Sequence, residues 1–268
     1  LHYGFDGIAR VVEQSGIRAA LSKTVMDTAS YVEGHPMHQG MVEDPTDAFQ
    51  EALDMHAKWD GGADGRIQVW FGPRPPGGCS ADLYREMMTA ANERGMGVTV
   101  HLAEVEEDVA YIRDQYGMRP VEFAESVGMV GPRVLLIHAV WLNEDDIGRV
   151  ARTGTHVTHN PVSNTKLASG IAPIPEMLKA GVNVSLGTDA GTCNNTYDLI
   201  REMRWASTLH KVSHMDPEVT PCETALEMAT INGARAMGLE DEIGSIEVGK
   251  QADFVALDMD KPHLVPTA

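Results

Sequence analysis

Short apolar, β-branched runs alternate along the chain with longer stretches whose apolar positions recur every three or four residues. The runs at 17–22, 67–71, 98–101, 134–138, 156–159 and 184–187 predict strands. The stretches near 6–15, 45–58, 80–94, 105–115, 143–152, 173–180 and 196–211 predict helices between them. Strict alternation of the two is the mark of a parallel sheet joined by helical crossovers. The strands read as nearly continuous apolar segments, the pattern expected where both faces of the sheet are covered.

Local signals place the ends of these elements. Asp44, Pro45 and Asp47 stand where a helix start wants a capping carboxylate, a first-turn proline and an acidic residue. In ERGMG, RTGTH and KAGVN a glycine separates a helix end from the next strand. After Gly238 the texture changes to β-branched residues and glycine turns, EIGSIEVGKQADFVALDMDKPH, which predicts a small separate β element.

Composition narrows the partners. The 268 residues carry 39 acidic against 21 basic side chains, a formal charge of −18, so a surface built to neutralise phosphates or anionic lipid is excluded. A neutral or cationic small molecule fits better. The apolar run 134–142 contains His138 and falls far short of the roughly 20 residues that span a bilayer. Cys79, Cys193 and Cys222 are odd in number and widely spaced, which describes neither a disulfide framework nor a thiolate cluster and points to a reducing cytoplasm.

In a parallel barrel the reactive groups sit at the carboxyl ends of the strands. Here those positions are occupied by His101, with Glu104 three residues on, then His138, His159 and Asp189. Each alone is as compatible with a packed or capping role as with chemistry. Together, imidazoles and carboxylates at successive strand ends form a donor set for zinc or iron. Met87, Met88, Met203 and Met228 lie in helices and read as core filling.

The segments HLAEVEEDVAYI, GPRVLLIHAVWL, VTHNPVSNTKLASGIAPIPEMLKAGVNVSLGTDAGTCNN and INGARAMGLEDEIGSIEVGKQADFVALD resemble the amidohydrolase superfamily. The likeness is to its branch of methylthioadenosine/S-adenosylhomocysteine deaminases, guanine-type deaminases and s-triazine hydrolases. The resemblance implies a (β/α)8 TIM-type barrel over residues 1–242, followed by the remnant of a small β-sandwich domain over 243–268. It further implies one divalent metal ion, zinc with ferrous iron as the alternative, held in part by His101 and Asp189. The implied activity is hydrolytic deamination of an aminated nitrogen heterocycle (a purine, pterin, pyrimidine or triazine) by metal-bound hydroxide. Glu104 would protonate the ring nitrogen, Asp189 would take the proton of the water, and His138 would hydrogen-bond the attacking or developing oxygen.

Three positions are expected at the substrate. His159 lies in the HNPVSN segment that shapes the pocket floor, with a second-layer or structural role. Arg74, in WFGPRPPGGC, stands where many nucleoside-type members carry histidine, and Ala190 to Cys193 depart from their GTDGAASNN in the direction of triazine hydrolases. An arginine offers a fixed charge and a planar fork of donors to a carbonyl or an anionic ring oxygen. That predicts a free base or simple ring in preference to adenosine derivatives. His35 and His38 fall in a long loop and are expected to be exposed; His2, His56, His156, His210, His214 and His263 are expected in surface or core roles.

The family places an HxH pair on its first strand, and none occurs in these 268 residues. The comparison sets Leu1 at the end of the second strand and makes the chain part of a longer reading frame. Two alternatives to the deaminase follow: an s-triazine-type hydrolase displacing chloride or alkylamine through the same residues, and a metal-free remnant acting as a binding module. The expected partner is a small heterocyclic substrate, with neither nucleic acid nor membrane, and a homodimer is common in the family.

Overall fold

The computed structural model describes residues 4–30 and 39–261. His2, His35, His38 and His263 lie outside them. Six strands, β1 (Ala19–Val25), β2 (Ile67–Pro73), β3 (Val98–Leu102), β4 (Val134–His138), β5 (His156–His159) and β6 (Val184–Leu186), form one sheet in chain order. Every neighbouring pair is parallel. The predicted strands are all present; the first is displaced. Ile17 is 61% exposed and precedes the strand, which instead runs on through Lys23 to Val25. Within it the buried ammonium of Lys23 is paired with Glu43 at 3.0 Å and Glu51 at 3.3 Å, so the position behaves as a core site.

The predicted helices are present: Phe5–Ser15, Pro45–Trp59, Ala81–Arg94, Glu106–Tyr116, Glu144–Thr153, Leu199–His214 and, near 173–180, the short Ile174–Lys179. Asp44 caps its helix by accepting from the backbone N–H groups of Thr46 and Asp47, with Pro45 in the first turn. Gly95 and Gly154 end theirs in the left-handed region, at φ 72° and 69°. The helices Pro120–Ser126, Pro161–Lys166, Cys222–Ala229 and Ile231–Ala236 lie outside the predicted stretches; six to eight residues hold little periodicity.

The core fills the space between sheet and helices. Val98, Val100 and Leu102 of β3 and Val134 and Leu136 of β4 are buried there with Met87, Ile112, Phe123 and Met228. Alternate residues on the same strands, Thr99, His101, Leu135 and Ile137, are only half-buried. Complete cover of both faces, expected from the apolar runs, therefore holds for one face.

The β-rich texture after Gly238 produces no strand among the described residues; 251–260 run without regular structure. Ile246, Val248, Phe254 and Val255 are exposed there. No helix among the described residues is long and apolar enough to cross a membrane.

Candidate metal centre

The strand ends bring together residues that are remote in sequence. In the β3–β4 register Leu102 sits opposite His138, so His101 and His138 are near neighbours, with ring centroids 5.1 Å apart. Pleat alternation alone would turn His138 toward the helices alongside Val134 and Leu136. Its backbone breaks the alternation at φ 72°, in the left-handed region, and Ala103 and Asp189 adopt φ 52° and 59° at the ends of their strands. For residues with a Cβ this conformation is strained, and strain of this kind concentrates at functional sites.

Asp189 is brought in by the turn after β6. That turn passes so close to β5 that a Cβ on Gly187 would lie 2.4 Å from Asn160 Oδ1 and 2.7 Å from Thr158 Cγ2, so only glycine fits. As a result His101, His138 and Asp189 each present a ligand atom within 4.8 Å of the others. His138 Nε2 lies 3.5 Å from Glu104 Oε2 and 3.9 Å from Asp189 Oδ2. It is buried and has no hydrogen-bond partner among the described residues. A buried nitrogen turned toward two carboxylates and a second imidazole suits a cation, so the donor set fits a divalent metal ion.

The two carboxyl groups are driven in opposite directions. Burial raises Glu104, reinforced by the nearby charges of Asp108 and Asp189 and opposed by His138 and the Ser169 hydroxyl. Burial also works to raise Asp189, but hydrogen bonds from Ser163 Oγ and the Ala190 backbone, with the two histidines, outweigh it and hold the group below the usual range. The Ser163 bond is short, 2.6 Å, whereas Ser169 Oγ reaches Glu104 at 3.4 Å. Burial, and then its proximity to His138, lowers His101 to about 4. A neutral imidazole is the form that binds metal.

The expected substrate residues divide. Cys193 is half-buried beside Asp189; burial raises its thiol, and the neighbouring carboxylate adds to this. Arg74 follows β2 and acts electrostatically on His101, which places its charge at the same end of the sheet. His159 goes elsewhere: it is fully buried, and its Nε2 lies 3.2 Å from Nε2 of His210 on the helix Leu199–His214. That contact sets the ring against the helix Leu199–His214.

Three residues near the cluster were not singled out from sequence. Ser163 and Asn164 lie on the short helix Pro161–Lys166, and Asn164 Oδ1 is 2.7 Å from His138 Nδ1. Glu202, fully buried on Leu199–His214, accepts from Val162 N at 3.2 Å and Asn194 Nδ2 at 2.6 Å, tying that short helix to the loop bearing Asp189. The resemblance set the HNPVSN stretch at the pocket floor without giving its serine and asparagine roles, and a carboxylate within a helical repeat looks like surface in a linear reading. A separate cavity of about 250 Å³ lies at the opposite, amino-terminal ends of β2 to β4, lined by Gln68, Trp70, Gly97, Arg133 and Met237.

Comparison with known proteins agrees with this geometry. A 5'-deoxyadenosine deaminase of Methanosarcina acetivorans is 40% identical over 266 residues, covering 99% of this chain and 59% of its own length. The crystal structure of an adenosine deaminase from Xanthomonas campestris with bound zinc superposes with a TM-score of 0.90 at 33% identity, over 99% of this chain and 58% of that one. The atrazine chlorohydrolase of Arthrobacter aurescens, complexed with zinc, gives a TM-score of 0.90 at 25% identity, over 98% and 58%. The chain thus spans about three fifths of the length of these relatives. The family model for amidohydrolases matches residues 1–267, and the chain belongs to the amidohydrolase family.

Proposed function

We propose that the protein is a metal-dependent hydrolytic deaminase that removes the amino group of a nitrogen heterocycle, the 6-aminopurine ring being the class that its named relatives favour. One observation carries the reading: His101, His138 and Asp189 present ligand atoms within 4.8 Å of one another, with Glu104 Oε2 3.5 Å from His138 Nε2, and beside this cluster burial holds Glu104 up while hydrogen bonds hold Asp189 down. Environments that drive two titratable groups apart mark out an acid and a base. In this reading the six strands belong to a (β/α)8 barrel over residues 1–242, and 243–268 belong to a small β domain. His101 and Asp189 would hold one divalent ion, zinc before iron, together with donors from the rest of the full-length protein. When bound, the ion would supply Lewis acidity that makes water a nucleophile at neutral pH.

The chain's own residues then act in sequence. Asp189, ionised, accepts a proton from the attacking water. Glu104, retaining its proton to higher pH than an ordinary glutamate, delivers it to the ring nitrogen beside the carbon under attack and makes that carbon electrophilic. Arg74 and Cys193 border the substrate. Collapse of the tetrahedral intermediate releases ammonia and leaves the ring carbonyl.

The likeness to atrazine chlorohydrolase and the AGTC segment at 190–193 favour one second reading, in which the same residues displace chloride or alkylamine from a triazine. The test is release of ammonia, amine or chloride by zinc-loaded full-length protein across purines, their nucleosides, pterins, pyrimidines and triazines. Ammonia release lost on chelation and restored by zinc supports the deaminase. Chloride release alone would establish the second reading, and no release of either kind from metal-loaded protein would sink both.

A further inference from the structure

The helix Pro161–Lys166 presents two consecutive side chains to the cluster. Ser163 meets Asp189, and Asn164, fully buried, places Oδ1 2.7 Å from His138 Nδ1. A carbonyl oxygen carries no proton, so in this contact Nδ1 donates and Asn164 accepts. Exchanging the two ends of the amide would set two nitrogens at 2.7 Å, inside even the ~2.9–3.0 Å at which N–H···O bonds centre. Asn160 Nδ2 lies 3.4 Å from the same nitrogen and is too far to compete.

A neutral imidazole protonated on Nδ1 carries a lone pair on Nε2. That Nε2 is buried, lacks a hydrogen-bond partner among the described residues, and faces Glu104 Oε2 at 3.5 Å and Asp189 Oδ2 at 3.9 Å. We infer that Asn164 is a positioning residue: it holds His138 in the Nδ1–H tautomer, so that Nε2 accepts a hydrogen bond from the attacking water rather than donating one to the developing oxygen. The water then has an acceptor for each proton, His138 Nε2 for one and the Asp189 carboxylate for the other, and its lone pair is left facing the substrate. His138 orients the nucleophile, and charge on the intermediate must be stabilised by other groups. The use made of the water rests on the deaminase reading; the tautomer does not.

The test is a long-range ¹H–¹⁵N spectrum of full-length protein labelled in histidine nitrogen, the His138 signals being identified by their loss in His138→Gln. A protonated Nδ1 with a bare Nε2 is expected, against the Nε2–H form that free histidine prefers. Asn164→Asp keeps an oxygen acceptor and should keep the tautomer. Asn164→Leu should release it to Nε2–H and lower kcat by about 10- to 100-fold with KM near wild type, the usual scale for losing an orienting partner. An Nε2–H His138 in the wild-type protein, or an Nδ1–H His138 surviving in Asn164→Leu, overturns the inference. If Asn164→Leu does not fold, the wild-type spectrum alone decides. A protein with the Nδ1–H tautomer that turns over no aminated heterocycle would overturn the deaminase reading and leave the inference intact.

Discussion

Removing one hydroxyl, in Ser163→Ala, tests whether Asp189 is prepared as a metal-binding carboxylate. Ser163 Oγ donates to Asp189 Oδ2 at 2.6 Å, and the Asp189 side chain is only 13% exposed, so solvent neither replaces nor screens the bond effectively. A hydrogen bond to a charged acceptor contributes about 1.5–3 kcal/mol. Its loss should raise the Asp189 pKa, and loss of a partner that orients a metal ligand should weaken metal binding by about 10- to 100-fold. The sign follows from competition: Asp189 titrates below its ordinary value, protons and metal contend for the same anion, and a raised pKa moves the lower pH edge of binding upward. Zinc affinity should be measured by competition with a chromophoric chelator, at neutral and mildly acid pH, on wild type, Ser163→Ala and Ser163→Thr. The alanine variant should lose affinity, more at acid pH, and the threonine variant should recover it. Equal affinity in all three at both pH values, with unchanged circular dichroism, would refute the argument.

Glu104→Gln should lower kcat by at least about 100-fold while zinc content measured by atomic absorption stays unchanged, since an amide has no carboxylic proton to give. Burial lowers His210 from 6.5 to about 4, so its neutral form favours the fold; that stability is complete above the unfolded value and is lost as pH falls from 6.5 toward 4, worth about 3 kcal/mol. Urea unfolding of wild type and His210→Phe over this window should show a shallower acid loss in the variant; parallel curves would refute it. Arg74→His should narrow any preference for free heterocycles over adenosine derivatives, read as the ratio of kcat/KM values. Faster turnover of adenosine derivatives than of any free heterocycle by the wild-type protein would show that Arg74 does not set the substrate.

Much of this protein is determined by order along the chain. Apolar runs long enough to form strands end at His101, His138, His159 and just before Asp189, so the strand-end positions that come together in the cluster could be located without coordinates, and the adjoining segments specify the family. What those residues face was decided only by tertiary structure. Period-two alternation sends His138 toward the helices; a left-handed backbone at φ 72° sends it to His101 instead, at a residue type that gives no warning of the turn. His159 shares the strand-end position of the others, but the helix Leu199–His214 carries His210 across to capture its ring. Ser163 and Asn164 sit on a helix of six residues, too short for any periodic signal, and acquire their roles only because Glu202 and the glycine turn at Gly187 bring that helix against Asp189 and His138. Periodicity along a chain reports which face of an element is apolar. It carries no information on which remote side chain packing will place opposite it, and that contact is what fixes a proton to one nitrogen or the other.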